Sequence, residues 1–153
     1  MSPRLNPYTG NSAKLVQPLI EYGKTIQARL EPKLAHLVKI RASQINGCAV
    51  CLHMHAEEAR KLGESEDRIR MLDAWHETPL YSERERAALA WTEALTRLSE
   101  TKAPDADYTA LKAQFSEEEQ VNLTLLIGVI NSFNKLGVGF RLPPINFDKR
   151  QAA

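Results

Sequence analysis

Ser43-Gln44-Ile45-Asn46-Gly47-Cys48-Ala49-Val50-Cys51-Leu52-His53-Met54-His55 holds both cysteines of the chain and two of its four histidines. Asn46-Gly47 predicts a turn, because both residues tolerate positive φ. Beyond it, Cys48 to Leu62 predicts one helix, with Gly63 just past its end. Ahead of it, Leu34, Leu37, Val38, Ile40 and Ile45 recur at helical spacing. That run starts at Glu31-Pro32, where Pro32 suits the first helical position. Two helices joined by a tight turn set the expectation for the whole chain, which is all-α.

The second helix of the pair has chemical content. Cys48, Cys51 and His55 are spaced three and four residues apart, so their side chains share one face. Cβ atoms three residues apart on a helix are about 5–6 Å apart, and modest adjustment brings them to the roughly 3.5–4.5 Å of a disulfide. The unpaired N–H groups and positive dipole of a first turn favour a thiolate, which draws attention to Cys48. A histidine one turn beyond Cys51 can take or return a proton. These are the parts of a dithiol redox site.

Plainer readings stand beside it. Two buried structural cysteines would explain the pair, since free Cys packs as a small hydrophobe. Zinc could draw on Cys48, Cys51, His53 and His55, but His53 and His55 point about 200° apart on a helix. Four ligands from one helix cannot close a tetrahedron, so zinc would need another segment or chain. Haem attachment needs a histidine directly after the second cysteine, and Leu52 is there instead. No Walker A pattern or Rossmann glycine fingerprint occurs. No cofactor and no metal are therefore assigned.

The 153 residues suit one domain, and 43% hydrophobic content is ample for a core. A net charge of +1 gives no basic field for nucleic acid or a charged membrane. The N-terminus has no apolar signal core. The longest apolar run, Val121 to Ile130, falls short of the roughly 18–20 residues of a membrane span. A close cysteine pair is not the disulfide framework of a secreted protein, so a reducing cytoplasm is expected.

Met1 to Asn11 reads as an irregular arm. Ser12 is the expected cap of a first helix carrying Leu15, Leu19, Tyr22, Ile26 and Leu30, with Pro18 starting or kinking it. After Gly63, Ser65 or Glu66 opens a short helix through Ile69 and Leu72. Trp75, His76, Pro79, Leu80 and Tyr81 then suggest an aromatic plug over the core, or part of a pocket wall. Ser82-Glu83-Arg84-Glu85 is a capping box for a helix to Ser99, with Ala88, Trp91, Leu95 and Leu98 facing inward. Thr101 to Asp107 reads as a loop, followed by a helix with Tyr108, Leu111 and Phe115. Ser116-Glu117-Glu118-Glu119 is a second capping box. It opens a helix apolar on nearly every side, suited to the core or to a subunit interface. Pro143-Pro144 ends regular structure, leaving 144–153 as a tail. Six to eight helices are expected, with no strands.

These residues resemble the alkylhydroperoxidase D-like family, within the carboxymuconolactone decarboxylase superfamily. The likeness spans most of the chain and is strongest over Leu34 to Ala59, around LVKIRASQINGCAVCLHMHAEEA. It continues at Ala87-Ala88-Leu89-Ala90-Trp91 and returns at NKLGVGFRLPP. The resemblance implies a single all-α domain, antioxidant peroxidase activity, and a homo-oligomer (dimer, trimer or hexamer). It implies that Cys51 attacks a hydroperoxide, that Cys48 resolves the sulfenic acid, and that an external thiol or dithiol is the reductant. His55 matches the histidine of the family's proton relay. The family's glutamate, twelve residues before the first cysteine, is His36 here. From sequence, His36 is most simply a surface or half-buried histidine. In the relay, its imidazole would stand in for a carboxylate without supplying fixed negative charge.

Three other functions use the same features. A thiol–disulfide oxidoreductase would use the same residues on disulfide substrates. A redox-sensing oligomer would oxidise once without turnover. A decarboxylase acting on a lactone acid would not need the cysteine pair. Tyr81, Trp91 and Phe133 could line a pocket, but core packing is the simpler role for each.

Overall fold

The computed structural model describes residues 2–144. Among them are eight α-helices and one 3₁₀ segment, and no strand. The helices are α1 (Gly10–Gln27), α2 (Pro32–Asn46), α3 (Ala49–Lys61), α4 (Glu66–Met71), α5 (Glu83–Thr96), α6 (Leu98–Thr101), α7 (Asp105–Gln114) and α8 (Glu117–Gly139). The 3₁₀ segment, Leu72–Glu77, joins α4 to the chain leading into α5. The all-α expectation holds. Of the expected tail at 144–153, residues 145–153 lie outside the described residues.

Local chemistry sets the element boundaries. Pro32 opens α2, where its missing N–H costs nothing. Gly47 follows α2 at φ 66° and ψ 34°, the left-handed conformation that reverses the chain into α3. Both capping boxes form. Ser82 Oγ accepts from the Glu85 N–H and Ser116 Oγ from the Glu119 N–H, with both glutamates answering in return.

α2 and α8 make the centre. α2 packs on α3, α5 and α8, and α8 also meets α1, α3, α5 and α7. One core cluster joins Leu34, Val38, Ala88, Trp91, Leu123, Leu126 and Ile127. A second joins Leu37, Ile40, Leu72, Trp75, Tyr81 and Leu89. Trp75 and Tyr81 thus form the expected aromatic plug. Trp91 is core too, with its Nε1–H donating to Thr124 Oγ1 at 2.9 Å, and Phe133 is half-buried.

Several expectations need correction. α1 starts at Gly10 with Thr9 in the cap position, so Ser12 is inside the helix and the arm ends sooner than Asn11. Pro18 lies inside α1. Its buried face is Val16 and Ile26, whereas Leu15 is 83% exposed and Tyr22 is also exposed. Helical spacing is satisfied by more than one stripe, and packing against α8 selected the other. The helix expected to reach Ser99 breaks at Arg97, and Leu98 turns outward. α7 begins at Asp105, inside the expected loop, and Tyr108 is exposed.

The length expectation for the apolar run also changes. α8 has 23 residues and a most apolar window of mean hydropathy 1.3, enough in length and composition to cross a membrane. Yet α8 also buries Gln120, Asn122 and Asn134, each bonded to protein: to Phe115 O, Ile26 O and Ser43 Oγ. Packed on five other helices, it behaves as a core helix.

Two substitutions on α8 separate core from cap. Leu126→Ala empties a side chain that is 1% exposed and should cost about 2–5 kcal/mol. Ser116→Ala should cost about 1 kcal/mol. Urea unfolding of each variant against the parent checks both values.

Candidate redox site

Cys48 takes the N-cap position of α3, one residue outside the helix rather than in its first turn. Its carbonyl accepts the first helical bond, from Leu52 N–H at 2.9 Å. Cys48 and Cys51 form a disulfide with Cα atoms 5.3 Å apart. Cys48 is fully buried, and Cys51 is 4% exposed. The pair lies against α8 at Gly137, where a Cβ would stand 2.6 Å from Cys48 Sγ and 3.6 Å from Cys51 Sγ. Only glycine lets the helix backbone come this close to the unshifted sulfurs.

A polar clamp holds the turn. Asn46 Nδ2 donates to Asn131 Oδ1 at 2.8 Å and to Asn134 Oδ1 at 2.9 Å. Asn134 Nδ2 donates in turn to Ser43 Oγ at 3.0 Å, and that hydroxyl donates to Lys39 O at 2.7 Å. The end of α2 that leads into the turn is therefore tied to α8.

His55 lies on α3 one turn beyond Cys51 and is buried. Its Nδ1 is 2.8 Å from Glu58 Oε2, three residues further on. The same oxygen lies 3.5 Å from His36 Nδ1 and 3.6 Å from Lys39 Nζ. His36 and Lys39 come from α2, and the His36 and His55 rings have centroids 6.0 Å apart. Lys39 Nζ also donates to Gln27 Oε1 at 2.6 Å. The structure thus brings together Cys48, Cys51, His55 and His36. It corrects the expectation for His36, which is not at the surface but only 4% exposed.

Sequence reasoning missed Glu58 and Lys39. The negative charge expected to be absent with His36 comes instead from Glu58. Its signal was available: it stands three residues after His55, on the same helix face. Lys39 is three residues after His36 by the same rule.

Electrostatics fixes the charge states. Burial, then the Lys39 charge, pushes His36 down to about 4, against the pull of Glu58. Burial also lowers His55, although its hydrogen bond to Glu58 opposes this. That bond, outweighing desolvation, holds Glu58 down at about 2. Burial lowers Lys39 to about 8 despite Glu58. At neutral pH the set is two neutral imidazoles, one carboxylate and one ammonium. A neutral His55 facing a carboxylate carries its proton on Nδ1, which leaves Nε2 as an acceptor.

An open depression of about 360 Å³ lies elsewhere, lined by Ile26, Arg29, Val121, Asn122 and Leu125 among others. It involves none of Tyr81, Trp91 or Phe133.

Comparison with known proteins gives a consistent picture. Residues 13–94 match the carboxymuconolactone decarboxylase family. The uncharacterized protein YdfG of Bacillus subtilis (strain 168) is 39% identical over 140 residues, 90% of this chain and 94% of the relative. The uncharacterized protein YnjA of Escherichia coli (strain K12) is 28% identical over 84% of this chain and 70% of its own length. A crystallised protein of unknown function from Agrobacterium tumefaciens, a candidate antioxidant defence protein AhpD, is 43% identical. It superposes with a TM-score of 0.88 over 94% of this chain and 98% of its own. An uncharacterized peroxidase-related protein from Silicibacter sp. TM1040 shares the fold at 20% identity. Its TM-score is 0.75, over 90% of this chain and 72% of its own.

The clamp predicts a local effect. Asn134→Ala leaves the Asn46 amide and the Ser43 hydroxyl short of partners and should cost about 1–3 kcal/mol. Hydrogen exchange should rise most at the amides of Gly47 and Cys48, next to the clamp.

Proposed function

The chain belongs to the carboxymuconolactone decarboxylase family, among its alkylhydroperoxidase D-like members, and on that footing we propose that it is a thiol-dependent hydroperoxide reductase. The observation that carries the reading is the Cys48–Cys51 pair at the N-terminus of α3, with a buried, carboxylate-anchored His55 one turn away. The antioxidant description of the Agrobacterium tumefaciens protein supports the same chemistry.

In the reduced protein, the Cys51 thiolate attacks the terminal oxygen of a hydroperoxide. The O–O bond breaks, the departing alkoxide takes a proton to become an alcohol, and Cys51 becomes a sulfenic acid. Cys48 then attacks the Cys51 sulfur, the S–S bond forms, and water leaves. An external dithiol reduces that disulfide by exchange and is itself oxidised to a disulfide. His55 takes the thiol proton at Nε2 and returns it to the leaving alkoxide, while Glu58 orients the ring. His36 lines the same cluster.

Burial of both sulfurs favours this reading over thiol–disulfide exchange with protein substrates. A folded protein disulfide cannot reach sulfurs so well covered, whereas a hydroperoxide and a low-molecular-weight dithiol are small. Exposed Leu15, Val121 and Leu125 support self-association. The dithiol cycle calls for a reducing compartment such as the cytoplasm.

Reduced protein treated with one equivalent of an organic hydroperoxide should lose both thiols and about two hydrogens in mass. Cys51→Ser should abolish turnover with the helical fold intact. Cys48→Ser should allow the first oxidation and stop at the sulfenic acid. Survival of both thiols in the parent would end the peroxidase reading, and undiminished turnover by Cys51→Ser would reassign the nucleophile.

A further inference from the structure

His36 Nδ1 is buried and has no hydrogen-bond partner. An orphaned ring nitrogen inside a protein has lost its water without gaining a partner in return. Glu58 Oε2 stands 3.5 Å from His36 Nδ1, beyond hydrogen-bond reach. His55 Nδ1 lies 2.8 Å from that same oxygen. Ligand atoms of His36, His55 and Glu58 all lie within 4.8 Å of one another. The three come from two helices, so they surround a point rather than line one face.

We propose that His36, His55 and Glu58 form a binding site for a divalent first-row transition-metal ion of the zinc type. Two imidazole nitrogens and one carboxylate oxygen are a donor set such ions take, with the remaining positions left to water or substrate. A tetrahedral zinc with ligands at 2.0–2.2 Å spaces them by roughly 3.4 Å. The His36–Glu58 separation is already there, the His55–Glu58 contact opens slightly, and the two histidine nitrogens, within 4.8 Å of each other, draw in to match. Binding through Nδ1 moves the His55 proton to Nε2 and gives His36 Nδ1 the partner it lacks. The site contains no sulfur. It differs from the Cys48, Cys51, His53 and His55 set suggested by sequence, because the two cysteines bond to each other.

Lys39 Nζ, 3.6 Å from Glu58 Oε2, is the charge that opposes a cation here. Its bond to Gln27 Oε1 gives it somewhere to stay when the carboxylate turns to the ion. This opposition makes a specific prediction, since removing the ammonium strengthens metal binding if the ion sits where proposed.

The experiment uses chelator-treated protein with the Cys48–Cys51 disulfide closed, so that no thiol competes. Zn²⁺ is titrated calorimetrically, and Co²⁺ is followed by visible absorption. One ion per chain is expected. His36→Gln and Glu58→Gln should each weaken binding by at least the roughly 10- to 100-fold that loss of an outer partner costs. Lys39→Met should tighten it roughly tenfold. His53→Gln, outside the cluster, should leave it unchanged. If His36→Gln fails to fold, Glu58→Gln and Lys39→Met still decide. Absence of binding, or binding indifferent to both of these substitutions, overturns the site. Peroxide turnover does not enter the measurement, so the two proposals fail separately.

Discussion

The side-chain amide of Asn134 ties the α2–α3 turn to the core. It accepts from Asn46 and donates to Ser43, so one residue of α8 holds the end of α2 that leads into the cysteines. Asn134 is itself 1% exposed, and in so dry a place an amide without partners is costly. The hydrogen bonds therefore set where α8 can lie along α2. That placement brings Gly137 against the sulfurs. Apolar packing supplies most of the driving force but little direction, because one apolar stripe can slide along another. Directed bonds fix the register, and the register fixes the site.

Glu58 organises the other half of the site. Its carboxylate is only half-buried, but its Oε2 faces three nitrogens of buried side chains from two helices. The gain is shared unequally. His55 makes a short hydrogen bond, whereas His36 and Lys39 contribute at longer range. The result is an ordered but incompletely satisfied cluster, with one imidazole nitrogen unpaired. Stability alone would favour filling such a place with apolar side chains. Its place beside a dithiol points to chemistry rather than to packing.

Much of this was legible in the sequence, and for identifiable reasons. The turn at Asn46-Gly47, Pro32 at the start of α2, and both Ser-x-x-Glu boxes are local signals, and local hydrogen bonding decides them. The shared face of Cys48, Cys51 and His55 followed from helical spacing. Choices made by tertiary packing were not legible. Leu15 and Val16 are both apolar neighbours, and only α8 decides that Val16 is buried. The burial of His36 depends on α3 lying across α2. The role of Glu58 was hidden differently: a glutamate followed by Ala and Arg on a polar helix resembles a solvated face until its neighbours on α2 are known.

The dithiol and the proposed cation site share His55, and this shared residue constrains how they can work together. The proposed relay needs Nε2 as an acceptor, which requires the proton on Nδ1, bonded to Glu58. A metal on Nδ1 reverses that assignment and makes Nε2 a donor. One ring cannot do both at once, so an occupied cation site is a dithiol site without its base. Lys39 biases the choice: its ammonium opposes the ion and leaves the carboxylate to His55. A chain that kept only the relay would gain by making His36 apolar, and one that kept only the metal would gain by losing Lys39. Both are present; with His55 they set three side chains around one Glu58 oxygen, and under the proposal their opposition leaves the choice to metal supply.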